Sequence, residues 1–148
     1  MKQDIENVEG FSLFKTEVEK IRIKQLLELV GKLIPEDKIR WLVPNMVKNP
    51  EGKISISGFF IFFETIIIEF RDFLDSVNFD WAKYDTIYNV RIDLTKVEKD
   101  LSLTDDSMFK LKIRHTIHGG LESNITVFGK ESCKYLVTIS KELNKFLR

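Results

Sequence analysis

The stretch "KISISGFFIFFETIIIEF", residues 53–70, decides the fold. Phe, Ile and Thr fill it, and such side chains suit a pleated, half-buried surface better than a helix. It does not read as a membrane span, because Lys53, Glu64 and Glu69 interrupt it and about 20 continuous apolar residues are not available. Changes of sense at Gly58, and again at Glu64 and Thr65, predict two or three short strands in the core of a sheet.

Upstream, the apolar residues Phe11, Phe14, Val18, Ile21, Leu26, Val30 and Leu33 recur at the spacing of a helix face. Lys15, Glu19, Arg22 and Lys32 form the polar side, and Pro35 ends the pattern because the residue before a proline is pushed out of helical geometry. A break near Thr16 would divide this segment in two. Residues 1–34 thus form a helical arm, and the crowding of "IKQLLELVGKLI" favours packing onto its own sheet over pairing with another copy. In "EDKIRWLVPNMVKNPEGK" an extended core at Ile39–Val43 is expected, with Pro44 interrupting and Asn49, Pro50 and Gly52 turning the chain. A helix through Trp41 is the alternative.

Downstream, "RDFLDSVNFDWAKYD" shows no single period and reads as a loop or short helix followed by a strand. In residues 86–94 the residues Tyr88, Val90, Ile92 and Leu94 alternate with Asn89, Arg91 and Asp93, the period of a one-sided strand. "TKVEKDLSLTDDS" reads as a short strand and a turn. Alternation returns with Phe109, Leu111 and Ile113 against Lys110, Lys112 and Arg114, and Gly119–Gly120 predicts a hairpin into "LESNITVF". The last element, near residues 130–147, opens at Gly129 or Ser132 and sets Cys133, Leu136, Val137, Leu143 and Leu147 on one face.

Composition narrows the function. The 148 residues suit one domain with an arm, and 43% hydrophobic with 31% charged residues is ordinary for a folded protein. Lys plus Arg balances Asp plus Glu at 23 each, which argues against nucleic acid as a partner. The single cysteine and the acidic N-terminus "MKQDIENVEG" predict a reduced, cytoplasmic protein without a signal peptide or transmembrane segment. No hydrolase, metalloprotease, phosphate-loop or dinucleotide motif is present, so no enzyme activity, cofactor or metal is expected.

Individual residues carry weaker signals. His115 and His118 would face opposite sides of a strand, so edge or turn histidines are the plainer assignment than a metal pair or catalytic base. Lys110, Lys112 and Arg114 set three cations on one strand face, spaced about 7 Å per step. They suit an anionic ligand or, more plainly, a solvated face. Trp41 and Trp81 are the candidate partner-binding anchors, though a core position is commoner for tryptophan. Glu69, Asp72, Asp75, Asp80 and Asp85 match no calcium loop, and Cys133 reads as a small buried apolar group.

The order of elements resembles the pleckstrin-homology-like superfamily, particularly its bacterial PH-like and GRAM-like members. The resemblance rests on "LIPEDKIRWLVPN", "GKISISGFFIFFETIIIEF", "TIYNVRID", "MFKLKIRHTIHGGLESNITVF" and "KESCKYLVTISKELNKFL". It implies an α+β fold over residues 35–148: a bent antiparallel β-sandwich or barrel of about seven strands, closed by the C-terminal amphipathic helix. It also implies a scaffold for binding, with Lys48 and Lys53 joining Lys110, Lys112 and Arg114 where lipid-binding PH domains often hold phosphates. The expected function is a non-catalytic module for protein–protein interaction or self-association. A peripheral module for anionic lipid headgroups, or a small enzyme with a site near the two histidines, are the alternatives.

Overall fold

The computed structural model describes residues 4–33, 38–71, 78–116 and 122–147. Its fold is α+β: helix α1 (Glu17–Leu33), seven antiparallel strands in two sheets, and helix α2 (Lys130–Leu143). The first sheet is a meander of β1 (Trp41–Lys48), β2 (Ile54–Phe62), β3 (Ile66–Arg71) and β4 (Asn78–Lys83). The second is β5 (Ile87–Thr95), β6 (Met108–His115) and β7 (Glu122–Phe128). None of the described helices is long and apolar enough to cross a membrane.

The apolar run of residues 53–70 lacks alternation because the strands it builds are covered on both faces. Phe60, Phe62 and Ile67 point into the space between the sheets, where they meet Phe109, Leu111, Ile113, Ile125 and Val127, with Cys133, Leu136, Ile139 and Leu143 of α2. Phe59, Ile61, Ile66, Ile68 and Phe70 point the other way and are covered by Val8, Phe11, Phe14 and by Ile23, Leu26 and Val30 of α1. The arm therefore lies on its own sheet. Aromatic rings run across this outer face. Phe14 meets Phe59 edge-on at 5.9 Å, Phe59 stacks on Phe70 at 4.7 Å, and the series continues through Phe79 (5.3 Å) to Trp81 (5.8 Å).

The arm is also tied by polar contacts. Thr16 and Glu19 form a reciprocal cap on α1, with the Glu19 amide donating to Thr16 Oγ1 at 3.2 Å and the Thr16 amide to Glu19 Oε1 at 3.1 Å. Because Phe11 and Phe14 precede this cap, the helical phase restarts after it. Ile23, Leu26 and Val30 form the buried stripe, while Val18, Ile21 and Leu33 of the expected face are exposed. Ahead of the helix, the Leu42 amide donates to the Glu9 carbonyl at 2.9 Å, and Tyr135 Oη donates to the same carbonyl at 2.9 Å. Gly10 makes this fit possible. A Cβ there would lie 1.8 Å from the Leu42 carbonyl oxygen and 2.6 Å from Tyr135 Oη.

Several local expectations are corrected. Pro44 does not interrupt β1, which runs through it opposite Phe59, and no helix forms at Trp41. A proline is tolerated there because, among the described residues, β2 is the only full ladder beside β1, so its missing N–H breaks no second ladder. Gly58 does not end β2, which runs through it, although the register with β1 shifts beside it, from Asn45–Gly58 to Met46–Ile56; a Cβ at Gly58 would stand 2.4 Å from the Phe70 carbonyl oxygen. The reversal is at Glu64 and Thr65, as expected. Residues 96–107 hold turns and no strand, with Lys96 and Leu101 at positive φ. The Gly119–Gly120 turn and residues 72–77 fall outside the described residues, but β6 and β7 pair antiparallel as the hairpin requires.

The sheets meet at one corner, where the Thr126 amide donates to Asn45 Oδ1 at 2.8 Å and the Phe128 amide to Met46 Sδ at 3.4 Å. That contact joins β1 to β7. On the other side of the second sheet β5 is an edge.

Candidate functional site

β5 is the strand on which backbone, apolar and charged features converge. Its register on β6 pairs Val90 with Ile113, Ile92 with Leu111 and Leu94 with Phe109, so these residues form its inner row. The β6 members of those pairs are fully buried, yet Ile92 is 44% exposed and Val90 and Leu94 only half-buried. The core thus thins out towards β5. A register shift between Ile87 and Asn89 puts Ile87 inward and leaves Tyr88 exposed, which corrects the expected placing of Tyr88 with Val90 and Ile92. Among the described residues, Tyr88–Thr95 make no backbone hydrogen bond outside the β6 ladder. A strand with that edge open is a template for another.

At the Ile87 end a cleft of about 560 Å³ opens between β5 and the turn after α2, lined by Asp85, Ile87, Tyr88, Lys145 and Phe146. Phe146 packs on Tyr84 with ring centroids 4.6 Å apart. Tyr84 in turn donates its hydroxyl to the Phe63 carbonyl. No local signal in "YDTIY" or "NKFL" marks this cleft, since its walls meet only through the fold.

The outer face of the same sheet carries the cationic stripe. Lys110, Lys112 and Arg114 lie opposite Asp93, Arg91 and Asn89 of β5, and opposite Thr126, Asn124 and Glu122 of β7. Arg114 bonds Glu122 at 3.1 Å, which holds that carboxyl below its usual range, and Arg91 pairs with Asp93 at 3.4 Å. Lys48, at the end of β1, holds its ammonium 5.7 Å from the Phe128 ring at the end of β7. Lys53 is exposed beyond the turn, where its amide donates to Asn49 Oδ1 at 2.8 Å.

The two tryptophans part company. Trp41 is 6% exposed, packs against Phe62 and lies 4.3 Å under the Arg40 guanidinium. It is a core residue, because the arm and α2 close around the start of β1, and its expected role as a partner anchor is corrected. Trp81 is 54% exposed on β4.

His115 is fully buried at the end of β6, a correction to the edge or turn position expected for it; His118 falls outside the described residues. Thr86 Oγ1 donates to the Lys83 carbonyl at 2.7 Å, so it accepts from His115 Nδ1–H at 2.9 Å. That leaves Nε2 unprotonated and, among the described residues, without a hydrogen-bond partner, and burial lowers the imidazole pKa. Cys133 is buried too, its thiol pushed up by desolvation. Among the described residues no group of His, Cys, Asp or Glu is placed to hold a metal ion, and Asp80 is paired with Arg71 at 2.9 Å.

No family model, curated protein or solved structure matches the chain.

Proposed function

We propose that this chain is a non-catalytic, PH-like binding module that engages a protein partner by strand addition along β5. The observation that carries this is the open β5 edge beside an inner row, Val90, Ile92 and Leu94, that the fold leaves half-covered. An added strand would satisfy the free backbone groups and bury those side chains together. The partition into four strands, three strands and a closing helix supports the PH-like assignment. The cleft at Phe146 offers such a strand a side-chain pocket at one end. A cytoplasmic setting, with the lone cysteine reduced, belongs to the same reading.

Binding of anionic lipid headgroups is the second reading. It is favoured by Lys110 and Lys112 lying on one open sheet face, and weakened by the carboxylates that Arg91 and Arg114 already hold.

The test is a tagged pull-down from lysate of the native host at low and high salt, run beside an Ile92→Glu variant shown to melt like the parent. One dominant partner that survives salt and is lost with Ile92→Glu supports the β5 reading. A partner retained by Ile92→Glu overturns it. Recovery confined to acidic vesicles, abolished by salt and by Lys110→Glu with Lys112→Glu, moves the function to lipid.

A further inference from the structure

The two faces of the second sheet specify the partner's chemistry differently, and this specification rests on the strand-addition reading above. A strand laid against β5 in either direction sends alternate side chains to the inner and the outer face. On the inner face it meets Val90, Ile92 and Leu94, which need apolar cover. On the outer face it meets Asn89, Arg91 and Asp93, a row of zero net charge, with the row Arg114, Lys112 and Lys110 behind. Four cations, Arg91, Lys110, Lys112 and Arg114, stand on this face against two acids, Asp93 and Glu122, so the outer face of the sheet is net cationic even though Glu122 acts on Lys112 as well as Arg114 and Asp93 pairs with Arg91.

We infer that the partner of β5 is an extended segment alternating apolar residues with acidic ones, its acids facing outward opposite Asn89 and Arg91. The added strand stands about 4.8 Å from the β5 row and about 10 Å from the β6 row. The second distance is close to the screening length of about 8 Å at physiological salt, so Arg91 acts at contact and the lysines act as a field that long side chains extend. A basic segment would set cations against Arg91 and the lysines, and like charges directly opposite one another destabilise a sheet pair. Asp93 places a limit on the rule. The outward position beside it is better filled by a neutral or basic residue than by an acid.

The experiment uses the full chain and three capped peptides of β5's length in which Val alternates with Glu, Lys or Ser. Peptide affinity is read by fluorescence anisotropy, and the site by hydrogen–deuterium exchange over residues 88–95. The Glu peptide should bind about ten-fold more tightly than the Lys peptide and slow exchange along β5. The gap should close near 1 M salt, where the screening length is about 3 Å. Arg91→Glu combined with Lys112→Glu, in a variant shown to melt like the parent because the two positions are cross-strand partners, should invert the order. Equal affinity for all three peptides with β5 still protected overturns the acidic rule and leaves strand addition standing. Tighter binding of the Lys peptide overturns the rule as well. Protection of β5 by none of them removes both.

Discussion

The sheet β1–β4 and the sheet β5–β7 are built from strands of similar length, and one is sealed where the other is open. Phe59, Ile61, Ile68 and Phe70 would be solvent-facing in an ordinary two-sheet sandwich, and here the arm covers them. The corresponding face of β5–β7 carries Lys110, Lys112, Arg114 and Arg91 and no covering element among the described residues. The difference shows that the arm completes one sheet as structure and leaves the other as surface. An element that folds back on one layer fixes by elimination which layer is available to others.

This contrast can be broken, and the largest effect is expected from the arm. Removing residues 1–33 uncovers Leu42, Phe59, Ile61, Phe63, Ile66, Ile68 and Phe70. At about 1.5–3 kcal/mol per buried side chain, the loss rivals the whole stability of a typical domain, about 5–15 kcal/mol. The truncated chain should be insoluble or bind a hydrophobic dye strongly; a monomeric product with a cooperative melt would refute the sealed-sheet account. Next in size, Phe59→Ala deletes a ring held by both Phe14 and Phe70 and should cost about 3–5 kcal/mol in chemical denaturation. Thr16→Ala removes one half of the α1 cap and should cost about 1 kcal/mol, which the same denaturation series resolves. Smallest, Lys112→Ala on the open face should stay within about 0.5 kcal/mol. A larger loss would mean the stripe supports the fold and is not free surface.

A pH titration sharpens the comparison from inside the second sheet. The folded pKa of His115 lies below the ordinary histidine value of 6.5, so the unfolded chain takes up the proton first. Stability from the neutral ring is complete above that value and is lost as pH falls through it towards the lowered one. His115→Leu should flatten this part of the stability profile; an unchanged slope between pH 7 and 5 would show that other groups carry it.

How far the sequence disclosed all this differs between the sheets for the same reason. β5, β6 and β7 were legible because a sheet wet on one side writes an alternating pattern, as in Lys110, Lys112 and Arg114 against Phe109, Leu111 and Ile113. β2 and β3 were legible as strands from their Phe and Ile content, but which residue faced where was not, because both faces are apolar. Pro44 misled, since only the topology reveals that β1 has no second full ladder to break. Gly58 misled in the same way, its role being to let the Phe70 carbonyl approach. Tyr88 escaped through a one-residue irregularity that shifts the phase of the strand, and Trp41 because burial of a lone tryptophan depends on elements distant in sequence. The cleft at Ile87 and Phe146 joins segments far apart in the chain and left no local trace.

The contact of Tyr135 with the Glu9 carbonyl links residues 126 positions apart. In a chain synthesised from N- to C-terminus, α1 can settle on β1–β3 while later strands are still being made, since domains begin to assemble during synthesis. Tyr135 arrives with the final helix. The arm is therefore loaded early and latched late, and a translation product interrupted before α2 would carry the seal without its fastening. Such long-range closure also raises contact order, so the domain should fold slowly for its size and commit to its native state only once α2 has been made.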